Sequence, residues 1–129
     1  MFDPAKTFEF ELRRKRGGHL FSKHRYLSAQ MLAYLEDDLW IEMARNSNAA
    51  AKPLIEALTA NPAVELPWRP EANVIFFKAP RSLHQKLIEK GATYYVMDGD
   101  ASVGDPAEKL TGRFVTNWAS DFVELERFL

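Results

Sequence analysis

Leu27, Met31, Leu35, Leu39 and Met43 recur at every fourth position, with Leu32 and Tyr34 beside them. That spacing lays an apolar stripe along one face of a helix. Ser22 stands where it can cap this helix. An earlier helix opens at Asp3-Pro4, because proline is tolerated where its missing donor has no partner anyway. It runs through the charged stretch Glu9 to Arg16 and stops at Gly17-Gly18. Glu36-Asp37-Asp38 interrupts the stripe and predicts a bend, since three acids together suit the first turn of a new helix. The next helix carries Trp40, Met43, Ala44, Leu54, Ile55 and Leu58 and ends at Asn61-Pro62. Pro53 falls inside it and predicts a kink or a fresh turn.

The second half changes period. Val64 to Trp68 reads as a short strand. Asn73 to Lys78 reads as the strongest strand, rich in β-branched and aromatic residues. Pro80 to Lys90 is a predicted helix with Leu83, Leu87 and Ile88 on one face, closed by Gly91. Thr93 to Met97 and Gly112 to Trp118 are further strands, separated by a turn-rich loop from Asp98 to Asp105. Ser120-Asp121 is read as the cap of a last helix bearing Phe122, Val123, Leu125 and Phe128. The expected fold class is α+β. Long N-terminal helices precede a small, mostly antiparallel sheet in the order β-β-α-β-β-α. Bridging helices would fill residues 1–62 and a small domain residues 63–129.

Bulk properties narrow the function classes. The 129 residues suit one modest core, and a net charge of -1 supplies no field that selects nucleic acid or an anionic membrane. With no cysteine there is no disulfide and no thiolate metal site. No apolar run is long enough to span a bilayer, and the first residues lack the order of a signal peptide. A soluble cytoplasmic protein is the expectation.

Arg113 is the first candidate for chemistry. It leads an apolar run, Phe114-Val115, directly after a glycine. Arginine grips a carboxylate through two parallel hydrogen bonds, which fixes orientation as well as charge. The alternative is a surface strand arginine paired with a nearby acid. The basic run Arg13 to Arg16, continued by Lys23, His24 and Arg25, is the second candidate. It is either a solvated helix face or an anion site beside a glycine pair. His19, His24 and His84 lack the spacing of a metal set and are expected at the surface or an interface. The aspartates from Asp98 to Asp105 lack the terminal glutamate of a calcium loop. The aromatics are expected in the core or at an interface.

Arg-Lys-Arg-Gly-Gly within Arg13 to Trp40, together with Leu-Ser-Ala-Gln-Met-Leu-Ala-Tyr-Leu-Glu-Asp-Asp-Leu-Trp, resembles the threonine aldolases, as do Glu71 to Phe76 and Gly112 to Trp118. These are lyases that use pyridoxal 5'-phosphate (PLP) and have the aspartate aminotransferase-like fold. The resemblance implies the C-terminal portion of such an enzyme, starting at the turn Phe2-Asp3-Pro4 that follows the cofactor lysine. It implies that Arg113 holds the carboxylate of an amino-acid substrate, aligning the bond to be broken with the electron sink of the cofactor. It also implies that Lys15 lies near the cofactor phosphate of a neighbouring subunit in a homo-oligomer. The family's second basic position falls near Ser22, and Lys23 is its closest substitute. None of the eight lysines stands in the sequence context of the imine-forming lysine. No catalytic residue is therefore expected within this chain, and the chain alone is expected to be inactive. Two other readings remain. One is a non-catalytic α+β module that binds a partner or a small carboxylate, with Met31, Trp40 and Met43 at a dimer interface. The other is a phosphate or nucleic-acid binder using residues 13–25, which the near-zero net charge disfavours.

Overall fold

The computed structural model describes residues 3–120 and divides the chain into two compact units, Met1–Leu39 and Trp40–Leu129. In the first unit, the Asp3 carboxylate accepts from the Ala5 amide at 3.0 Å and Pro4 opens a 3-10 turn, Pro4–Lys6. The turn leads into α1 (Thr7–Arg16). The stop at the glycine pair is a paired-hydrogen-bond cap. The Gly18 amide donates to the Lys15 carbonyl and the His19 amide to the Arg14 carbonyl, with Gly18 at φ +72°. Only a residue without Cβ adopts that backbone freely. Helix α2 (His24–Leu35) starts two residues after Ser22; Lys23 occupies the N-cap and no side chain caps the helix. The acid triad forms the bend, with Asp37 at φ 49° and Asp38 at φ 59°. Aspartate tolerates this left-handed region better than most residues. No residue of α1 or α2 is buried.

The second unit holds the core. Helix α3 (Leu39–Ala60) continues unbroken through Pro53. Ala50, Ala51 and Leu54 are buried around the proline, and Ala51 and Leu54 pack on Ile75, so burial on both sides of the lost backbone bond carries the helix past it. Strand β1 (Val74–Pro80), helix α4 (Arg81–Glu89), strand β2 (Tyr95–Val96) and strand β3 (Lys109–Val115) follow. The sheet order is β1-β3-β2, with both pairings antiparallel. The molecule is thus α+β, with long helices ahead of a small antiparallel sheet.

Two strand expectations shift. Of Val64 to Trp68, only Glu65 pairs, in a single bridge to Lys78 with bonds of 2.9 and 2.7 Å. The next hydrogen-bonded pairs on either side would require an amide from Pro67 or from Pro80, and neither has one. Strand β3 begins three residues earlier than expected and ends three earlier. Its register runs from Pro80↔Lys109 to Val74↔Val115. Thr116 is then drawn to α3, its hydroxyl donating to the Ser47 carbonyl at 2.7 Å, while Asn117 turns back on Ser120. The last expected helix lies outside the described residues. Among the described residues no helix is long and apolar enough to cross a membrane.

Candidate carboxylate site on the open sheet face

Alternation along the strands sorts their side chains onto two faces. Ile75, Phe77 and Ala79 of β1 and Leu110 of β3 are buried. Phe77 stacks on Phe114 and on His84, with ring centroids 4.8 and 5.2 Å apart. Gly112 makes room for this stack, because a Cβ there would stand 2.5 Å from the Phe77 ring. His84 is fully buried on α4, not at the surface as its sequence neighbours suggest. Its Nε2 lies 3.0 Å from the Leu110 carbonyl, which can only accept, so Nε2 carries the proton. Nδ1 is left to accept from the Tyr94 hydroxyl at 2.8 Å. Burial pushes the Tyr94 phenol up to about 12.

The opposite face carries Arg113. Its register partners are Phe76 on β1 and Tyr95 on β2. The guanidinium carbon lies 4.8 Å from the Tyr95 ring centre. The Nε of Arg113 is buried without a hydrogen-bond partner, and among the described residues Arg113 makes no ion pair. The surface-pair alternative is therefore not realised there. Around it the surface is aromatic. Trp68 meets Phe76 edge to face at 5.5 Å, and Trp68 and Tyr95 are each about two-thirds exposed (64% and 68%). A hollow of about 410 Å³ is lined by Trp68, Phe76, Met97, Asp98 and Thr111. Asp98 is the acid in that lining, and it is already engaged. It accepts from the Thr111 hydroxyl and amide, both at 2.7 Å. The hydroxyl bond, then the amide bond, hold its carboxyl below the usual carboxylate range.

A second arginine gives the contrast. Arg81 is buried at the start of α4, and its guanidinium already holds the Glu108 carboxylate and the Asp105 carbonyl. It clamps the loop between β2 and β3 under Gly104, where a Cβ would strike the guanidinium. One of its nitrogens, Nη1, is also unpartnered, but the charge itself is answered. Among the described residues the Arg113 charge is not.

Lys15 and Lys23 lie in the first unit. Lys15 is in the last turn of α1 and Lys23 caps α2; both are exposed. Arg13 and Arg14 of the same basic run pair with Glu9 and Glu11 at 2.7 and 2.9 Å, whereas neither lysine makes an ion pair among the described residues. All eight lysines of the chain are exposed. An imine-forming lysine needs a desolvated or cation-flanked amine to react at neutral pH. The lysines present therefore do not fit covalent attachment of PLP. Among the described residues no cluster of His, Asp and Glu could hold a metal ion.

No family model matches the chain. It is 30% identical over 113 residues to the low specificity L-threonine aldolase of Pseudomonas aeruginosa, a match that covers 88% of this chain and 30% of that protein. To the low specificity L-threonine aldolase of another Pseudomonas strain it is 31% identical over 120 residues, 93% of this chain and 32% of that protein. The chain is threonine aldolase-like. It spans about a third of the length of the curated relatives it matches. In this threonine aldolase-like chain, the likeness extends over both the helical first part and the sheet that carries Arg113.

Proposed function

We propose that this chain is the C-terminal portion of a PLP-dependent lyase that cleaves a β-hydroxy-α-amino acid to glycine and an aldehyde. Arg113 holds the α-carboxylate of the substrate in this reading. The observation that carries it is the unanswered Arg113 charge on an apolar face, with a buried Nε that no group of the described chain satisfies. A carboxylate supplies what is missing, and two parallel hydrogen bonds orient it. Lys15 and Lys23 serve the cofactor phosphate of a neighbouring subunit. The chain works within a cytoplasmic homo-oligomer; the stripe of α2 supports the oligomer, because Leu27, Met31 and Leu35 are each about half exposed and suited to burial against another chain. Because no lysine here is buried, the polypeptide alone forms no imine and turns over no substrate.

The test mixes the purified chain with PLP and threonine. No imine absorbance and no aldehyde are expected. A borohydride-trapped adduct on one lysine, with aldehyde release, overturns the inactivity. In parallel, carboxylate binding is measured on the unmodified chain and on Arg113→Ala. Loss of a charged hydrogen-bond pair is expected to weaken it roughly 10- to 100-fold. Equal binding by both removes Arg113 from the site.

A further inference from the structure

A lone arginine is a poor receptor unless something holds it. Its side chain has many rotamers, and much of that freedom is lost on binding unless the guanidinium is already placed. In buried receptor sites an acid commonly does the placing. Here no carboxylate pairs with Arg113 among the described residues, and Asp98 is committed to Thr111.

The sheet provides another restraint. Strand β2 has two residues, Tyr95 and Val96, both paired with β3. Val96 stands opposite Gly112 on the covered face, so Tyr95 is all that β2 contributes to the open face. It stands directly across from Arg113, where cross-strand side chains are in contact. The ring takes the guanidinium carbon at 4.8 Å. Phe76 flanks Arg113 in register on the other strand. The cation therefore lies on an aromatic face, with its Nε shielded from water. A cation over a tyrosine ring is held without being neutralised, so its charge and its hydrogen-bond fork stay available to an anion.

We propose that Tyr95 is the positioning residue of the carboxylate receptor: its ring, not its hydroxyl, fixes the Arg113 guanidinium. This rests on the reading of Arg113 as that receptor. It accounts for an aromatic residue left largely exposed on the shortest strand of the sheet.

The test titrates the full chain, labelled with nitrogen-15, with sodium acetate against sodium chloride at equal ionic strength. The signal followed is the Nε–H of Arg113. In the unmodified chain this proton is expected to exchange slowly with water, to be shifted upfield by the ring, and to move saturably with acetate. Tyr95→Leu is expected to abolish the upfield shift and weaken acetate about two- to fivefold. Tyr95→Phe keeps the ring and is expected to restore both. Equal affinity in Tyr95→Leu and the unmodified chain overturns the proposal, as does a Tyr95→Phe variant as weak as Tyr95→Leu. If Tyr95→Leu does not fold, an unshifted Arg113 proton in the unmodified chain is itself sufficient to overturn it. If Arg113→Ala leaves acetate binding intact, the receptor reading fails. If Arg113→Ala abolishes binding while Tyr95→Leu has no effect, the positioning role alone fails.

Discussion

The two faces of one small sheet differ in how their polar groups are answered. On the covered face, the ring nitrogens of His84 have a carbonyl and a hydroxyl as partners, and aromatic rings fill the space between α4 and the strands. On the open face, one residue along β3 from Gly112, a guanidinium lies against the Tyr95 ring, and its Nε has no partner among the described residues. The same backbone thus builds a closed, self-satisfied layer and a layer with one polar demand left over. On the proposed reading, stability belongs to the first face and binding to the second, and substitutions can separate them.

The sharpest break compares neighbours in β1. Phe77→Ala empties a fully buried site and is expected to cost about 3–5 kcal/mol. Phe76→Ala, one residue away on the open face, mainly loses its pairing with Trp68 and is expected to cost about 1 kcal/mol. Urea unfolding of both variants measures the difference; equal losses would mean that the open face is core as well.

Tyr94→Phe probes the polar part of the covered face. It leaves Nδ1 of His84 without its donor, an expected loss of about 1–3 kcal/mol at neutral pH. Its pH signature has a definite sign. The phenol of Tyr94 is raised to about 12 in the folded chain and ionises near 10 when unfolded. Between these values the unfolded chain releases a proton that the folded chain keeps. Stability contributed by the neutral phenol is therefore complete below pH 10 and falls as the pH rises toward 12. Denaturation midpoints across that range should decline in the unmodified chain and flatten in Tyr94→Phe.

The smallest effect belongs to the rim of the open face. Asp98 is held ionised by Thr111, so its contribution is present above the ordinary carboxylate range, near 4, and is lost as the pH falls through its lower folded value. Asp98→Asn is expected to cost under about 1.5 kcal/mol at neutral pH and to remove this part of the acid sensitivity. Thermal melts between neutral and strongly acid pH distinguish the two chains.

Much of this comparison was legible in the residues. The glycine pair, the acid triad and Asp3-Pro4 announced their caps and bends because each works through local backbone chemistry. Asn73 to Lys78 announced a strand, and a lone arginine in an apolar run marked Arg113 as a candidate. That no acid of the described residues pairs with Arg113 was not legible, since pairing is a fact of three dimensions. His84 was misplaced for the same reason. Its partners, Tyr94 and the Leu110 carbonyl, are 10 and 26 residues away, and beside Gln85 and Lys86 it reads as a polar helix position. The early start of β3 was hidden because Lys109 and Thr111 look like loop residues. The failure of Val64 to Trp68 as a strand was readable in principle: Pro67 and Pro80 forbid the bonds that would have extended it.

Those same two prolines shape what the sheet offers to other molecules. A free strand edge is a template on which a foreign strand can grow into an aggregate. Along β1 that template is interrupted by a one-residue bridge set between donors that do not exist, and the far edge, β2, is only two residues long. Neither border offers a long uninterrupted run of backbone donors, so crowding this chain should drive association through side chains rather than through fibre-like stacking.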